Sequence, residues 1–342
     1  MTSNTSHTLH NIQALRAIAA ILVIMHHAFP HYEAMGETLV WIQHISTWGF
    51  AGVDIFFVIS GFIMAYTTFT KERTLLNAKN FFKHRLFRIF LGYWPFFIVM
   101  LAGVYIANPN KLASLDVIGS FFLINDDMFK LILPVSWSLT YELYFYFLFV
   151  FTFFFSIKQL YILIPTFILL LLAFILYTLT SNIFPNSFFY SPFLLEFFAG
   201  ILLYMYKDYF MKLWLLPILI LGIYFSYDYG ITHETKNGIL RIATFGTGAF
   251  LVVLTALLLE TKHIYRSHRY FEALGDASYT LYLSHLIILG FFWMFGLRNL
   301  FNSTGYVLPL LGFISILILC IVFSLVYYQK IERPLYKKAI GR

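Results

Sequence analysis

The chain is a succession of long apolar runs separated by short polar connections. About ten runs are long enough to cross a bilayer as helices: roughly 12–30, 48–70, 86–106, 135–155, 160–180, 188–206, 213–228, 239–259, 277–296 and 306–328. Helix is the expected form, because a backbone facing lipid has no water to bond and must satisfy itself. The third run carries Pro95, and the short seventh run (LWLLPILILGIYFSYD) carries Pro217. Prolines in membrane helices mark kinks more often than sites. The longest connection, about 107–134, has a semi-apolar middle (LDVIGSFFLINDDMF) too short to span, which reads as an interfacial or re-entrant segment. The expectation is therefore an all-α, polytopic membrane bundle. It should form one membrane domain over 1–342, with no soluble domain at the C-terminal end.

Composition agrees. The 342 residues are 60% hydrophobic, 21% aromatic and only 11% charged, with mean hydropathy +0.78. No soluble domain of this length has that balance. The polar start, MTSNTSHTLHN, lacks the basic region of a cleavable signal, so the first run is expected to remain as a span. One cysteine, Cys320, sits in a late apolar run; it supports neither a disulfide framework nor a cysteine metal site.

A formal charge of +7 raises the question of nucleic acid, but its distribution points to membrane orientation instead. The stretch from Lys71 to Arg88 holds Lys71, Arg73, Lys79, Lys83, Arg85 and Arg88, and is expected to be cytoplasmic. Alternating from there puts both termini in the cytoplasm. Of the 23 Lys and Arg, only Lys111, Lys130, Lys236, Arg241 and Arg298 then fall outside.

Buried ionisable groups supply the candidate chemistry. Arg16 and His27 are eleven residues apart, about 20° past three helical turns and roughly 16 Å along the axis. They share one stripe. It either faces a polar cavity, or Arg16 snorkels to the headgroups while His27 is a core histidine. Counted from the outer side, His27, Asp54, Glu142 and Glu196 all fall in the outer half of the membrane. Asp54 has a second reading, holding a neighbouring helix beside Gly49, Gly52, Ser60 and Gly61. On the inner side, FFKHRLFRIF places Lys83, Arg85 and Arg88 at the entry to the third run. They are either ordinary inside-positive residues or an anion pocket for a phosphate-rich ligand. A histidine with a nearby carboxylate is a general-base unit for activating a hydroxyl.

At these residues the sequence resembles a known family. Arg16 with ten residues to His27, then GVDIFFVISGF, FFKHRLFRIF, SWSLTYELYFY and SYTLYLSH, occur in the order found in the acyltransferase-3 family of integral membrane acyltransferases. The resemblance runs from about 11 to 335. It implies about ten helices in a bacterial inner membrane, a cytoplasmic acyl-CoA donor such as acetyl-CoA, and a hydroxyl acceptor on a sugar. Typical acceptors are O-antigen, capsule, exopolysaccharide or lipid-linked glycans.

By matching position, Arg16, Arg85 and Arg88, with Lys83 beside them, are implied to hold the donor phosphates. His27 is implied to be catalytic, as general base or acyl carrier, and Glu142, the acidic residue after Trp137-Ser138, to orient it. Asp54 or Glu196 would assist or bind the sugar. His26 doubles the histidine, and helix phase favours His27 as the reactive one. His285, roughly 12 Å into the ninth run, lines the donor channel or is structural with Ser278 and Tyr279. No metal site and no nucleic-acid partner are implied; the partners are acyl-CoA, a glycan and lipid. Two rivals come from other classes. A proton-coupled transporter or flippase predicts broken helices in paired halves, which the chain does not display. A haem protein needs paired histidines at matched depth, and His27 and His285 count as approaching from opposite faces.

Overall fold

The computed structural model describes residues 9–181 and 188–341; the polar residues 1–8 and the basic Arg342 lie outside them. Among the described residues every named element is helical. The chain opens with α1 (His10–Glu33), the short α2 (Val40–Thr47), α3 (Gly52–Thr68) and the long α4 (Leu75–Ala107). Then come α5 (Val117–Phe122), α6 (Trp137–Val150), α7 (Ile157–Ser181), α8 (Phe193–Phe210) and α9 (Leu216–Thr232). A single turn, α10 (Gly238–Arg241), leads through a π turn at Ile242–Gly246 into α11 (Thr247–Thr261). Finally α12 (Arg269–Asp276), α13 (Ser278–Met294) and α14 (Val307–Tyr327) lead through a second π turn at Tyr328–Glu332 to α15 (Arg333–Ala339).

Nine of these stretches are long and apolar enough to cross a membrane, and the pair α12–α13, bent by 67°, makes a tenth if it counts as one span. The protein is a multi-pass membrane bundle. One boundary differs from the apolar runs. Helix α4 starts at Leu75, capped by the Thr74 hydroxyl, which accepts from the Asn77 N–H. Arg85 and Arg88 therefore stand about 15 and 20 Å along the helix from its start. Helix α13 begins at Ser278, where the ninth run was expected to begin, and α12 meets it at a bend of 67°. Pro217 sits in the first turn of α9, where its missing N–H costs nothing, and does not kink that helix.

The connection after α4 folds back onto it. The Tyr93 hydroxyl donates to the Ser120 carbonyl at 2.8 Å and the Trp94 indole to the Phe121 carbonyl at 3.2 Å. Asp116 caps α5, accepting from the Gly119 N–H at 2.7 Å. The semi-apolar segment is thus a short helix seated on α4.

Helix α3 is the innermost element, held between α1 and α8 by backbone approach that only glycine permits. A Cβ at Gly61 would stand 1.8 Å from the Phe197 carbonyl oxygen, and one at Gly200 2.1 Å from that of Val58. In lipid, where apolar burial between helices gains little, such close packing is a main source of association.

A buried ion pair ties α3 to the π turn. Arg241 donates from Nε to Asp54 Oδ1 at 3.0 Å and from Nη2 to Oδ2 at 2.7 Å. The guanidinium is sandwiched by the rings of Phe50 and Phe193, 4.8 and 5.0 Å from their centroids. Asp54 is fully enclosed. Arg241 was counted with the outer residues at the start of the eighth run; the structure keeps it at the start of that span and buries it inside the bundle.

Gly61→Val is expected to force α3 off α8, lowering the thermal unfolding temperature in detergent and the folded yield; an unchanged transition would show that the interface yields. Asp54→Leu alone leaves Arg241 buried and unpaired, at a cost of about 3–5 kcal/mol. The double variant Asp54→Leu/Arg241→Met should recover most of that loss. A double variant as unstable as the single one would show that the pair does more than neutralise itself.

Candidate active site

Helices α1, α3, α4, α6 and α13 enclose a cavity of about 320 Å³. Its polar lining includes Arg16, Ser60, Arg85, Arg88, Ser138, Glu142, Tyr146, Tyr279 and Tyr282, set among apolar side chains of α3 and α4. Arg16 donates to Gln13 Oε1 at 3.0 Å, one turn back. Among the described residues, Arg85 and Arg88 donate no hydrogen bond and close no ion pair. Arg85 stacks on Phe81 and Tyr146, at 5.6 and 5.5 Å. Their forked donors are left for whatever enters.

Glu142 belongs to this cavity. Tyr146, one turn further along α6, donates its hydroxyl to Glu142 Oε1, and Ser60 donates to the same oxygen at 3.4 Å. The carboxylate attracts Arg16, Arg85 and Arg88 electrostatically. It makes no contact with His27, the partner that the resemblance implied. It shares its cavity with Arg16, Arg85 and Arg88 instead, and His27 does not line that cavity. Lys83 is exposed, stands over the Phe87 ring at 5.7 Å and does not line the cavity.

His27 sits in a cluster of three imidazoles. Its ring centroid is 5.1 Å from that of His26 and 5.0 Å from that of His285. His27 Nδ1 lies 2.9 Å from the Val23 carbonyl oxygen and 3.3 Å from His285 Nε2. His27 is partly exposed, whereas His285 is fully enclosed. The two were expected to approach from opposite faces. They meet because α13 starts inside the bundle and because the His27 ring leans back along α1 toward Val23, the direction in which helical side chains tilt. At 3.3 Å the rings leave no gap for an iron atom between them.

The wall between the arginine cavity and this cluster is formed by Phe56 and Tyr282. Both line the cavity, their rings stand 6.2 Å apart, and Tyr282 is 5.9 Å from the His285 ring. Tyr282 is fixed: its hydroxyl donates to the Val135 carbonyl and pairs with Ser138 Oγ, both at 2.8 Å. Phe56 has no such tether.

A second cavity, about 420 Å³, lies on the other side of the histidines. His26, Glu33, Gln43, Phe50, Lys236 and Arg241 line it. His26 Nδ1 is 2.9 Å from the Ser46 carbonyl oxygen. Asp54 lines neither cavity, since Arg241 takes both its oxygens. Glu196 is also enclosed: neither of its oxygens meets a donor, it faces Asp54, and it packs against Gly246, where a Cβ would stand 2.5 Å from Oε1.

The expected residues therefore separate into three groups. Arg16, Arg85, Arg88 and Glu142 share one cavity; His26, His27 and His285 form a cluster of which His26 lines the second cavity; Asp54 and Glu196 gather around Arg241. Arg241, Tyr146 and Phe56 had no assigned part. Only Tyr146 carried a readable signal, its i, i+4 spacing from Glu142.

Comparison with known proteins places the chain in a family. A family model described as an acyltransferase domain, acyltransferase-3, matches residues 9–329. The exopolysaccharide production protein ExoZ of Rhizobium meliloti (strain 1021) is 28% identical over 311 residues, covering 87% of this chain and 93% of that protein. No solved structure matches. The family match begins at the residue that caps α1 and ends in the π turn after α14, so it takes in both cavities and the histidine cluster. The chain belongs to the acyltransferase-3 family and is a multi-pass membrane acyltransferase.

Proposed function

We propose that the protein transfers an acyl group, most simply acetyl, from acyl-CoA to a sugar hydroxyl of a surface polysaccharide or lipid-linked glycan. The observation that carries this reading is the cavity with unspent guanidinium donors. Arg85 and Arg88, with Arg16 opposite, present forked donors matched to phosphate oxygens, and the nucleotide end of CoA is rich in these. The positive end of the bundle would face the cytoplasm of a bacterial inner membrane, with both termini there, as the basic residues favour.

In this reading the CoA phosphates rest against Arg16, Arg85 and Arg88. Glu142 holds the arginines in place and balances part of their charge in the empty cavity. The pantetheine arm then runs along α3 to Phe56 and Tyr282, beyond which lie the histidines. The acceptor enters by the second cavity, past His26, Lys236 and Gln43. The name of the relative in Rhizobium meliloti favours a polysaccharide acceptor. His27, between the two cavities, takes the proton of the attacking hydroxyl. Asp54, Arg241 and Glu196 keep the second cavity in shape.

Membranes carrying the protein, supplied with radiolabelled acetyl-CoA and a polysaccharide-producing background, should pass label into polysaccharide. Arg85→Ala or Arg88→Ala should raise the KM for acyl-CoA by about 10- to 100-fold, the worth of one or two hydrogen bonds to a charged group. His27→Ala at equal membrane level should abolish transfer. Full transfer by His27→Ala would move the reaction to another residue, His26 first. Movement of acceptor across the membrane with no label gained would replace the enzyme reading by transport.

A further inference from the structure

The three imidazoles are alike in one respect that decides which nitrogen can react. In each, Nδ1 faces a backbone carbonyl oxygen: Ser46 for His26 and Val23 for His27, both at 2.9 Å, and Tyr282 for His285 at 2.5 Å. A carbonyl only accepts, so each neutral ring carries its hydrogen on Nδ1 and a lone pair on Nε2. That assignment also settles the contact between the rings. His285 Nε2 has no hydrogen to give, so at 3.3 Å it accepts from His27 Nδ1–H, which is shared with Val23. These two bonds run in one direction, from His27 to His285 to the Tyr282 carbonyl. At the open end of the chain stands His27 Nε2. His26 has no imidazole behind it in this way, since its Nδ1 ends on Ser46.

We propose that His285 is the positioning residue for His27, fixing its Nδ1–H tautomer and ring angle so that Nε2 is the reacting atom. The inference rests on the acyltransferase reading above and gives that reading an atom. The acceptor hydroxyl gives its proton to His27 Nε2 as its oxygen bonds to the thioester carbonyl carbon. The carbon–sulfur bond breaks, and the departing thiolate takes the proton back from Nε2. Acyl-CoA and alcohol become ester and free CoA thiol, with no other reactant. While Nε2 holds the proton the ring is a cation. Its Nδ1–H then points at two acceptors, His285 Nε2 and the Val23 carbonyl, both of which stabilise it. This is the part that a carboxylate plays behind a catalytic histidine elsewhere. Here a neutral imidazole takes it, a form that tolerates full burial in a membrane bundle better than a charge does. Being fully enclosed, His285 acts only through His27.

The test is made on the full chain in lipid nanodiscs with 15N-labelled histidine. His27 signals are identified by their loss in His27→Gln. In the resting protein without substrate, the neutral His27 ring should show a protonated Nδ1 and an unprotonated Nε2; the opposite tautomer overturns the proposal. Kinetics add a second reading. His285→Phe should lower kcat by about 100-fold, toward the loss of one general-base contribution, with the KM for acetyl-CoA essentially unchanged. His285→Gln, whose amide oxygen still accepts from Nδ1–H, should recover most of the rate. Equal losses in the Phe and Gln variants, or a loss seen in KM alone, would also overturn it. The spectrum needs no turnover, so failure of the tautomer and failure of acyl transfer are read separately.

Discussion

A charged side chain among membrane helices must be paired or must face a cavity, because lipid offers it nothing. That constraint divides the polar groups of this bundle into two kinds. Asp54 and Arg241 are paired, with both guanidinium–carboxylate bonds made and aromatic rings on either side. Removing either partner would strand the other, so the pair sets where α3 meets the π turn. Arg85 and Arg88 are of the second kind: they face an enclosed space with their donors unused. A bundle of this composition keeps such a space only where the helices around it are held apart by packing elsewhere. The glycine contacts of α3 with α8 and the seating of α5 on α4 supply that packing.

The two cavities differ in their charged lining: one gathers Arg16, Arg85, Arg88 and Glu142, the other His26, Glu33, Lys236 and Arg241. Phe56 and Tyr282 close the arginine cavity on the histidine side. The Tyr282 hydroxyl is held by Val135 and Ser138, whereas the Phe56 ring is placed by packing alone.

The histidine cluster shows how much of a site depends on backbone groups. Among the described residues no carboxylate forms a hydrogen bond or ion pair with His27. Its orientation comes from Val23 one turn back and from His285 on another helix. The carboxylate that the resemblance assigned to this task, Glu142, is occupied by Tyr146 and Ser60 in the arginine cavity.

By itself the sequence determined the helical class, the approximate spans, and the residue types that carry chemistry. Apolar length, the clustering of Lys and Arg, and the 3.6-residue phase that unites Arg16 with His27 are local properties of the chain. It also sufficed for the five ordered motifs through which the family is visible. Only the tertiary structure decided the partners. Arg241 reads as one more basic residue at the end of a span until the structure sets it on Asp54, and Glu142 reads as a partner of His27 until Tyr146 and Ser60 are seen to donate to it. His285 reads as distant until α13 packs against α1 and brings the two rings together. The physical reason is the same each time. Depth along a helix follows from counting, but where a helix starts and which neighbour its side chains meet depend on bends, tilts and close approaches that involve residues far away in the chain.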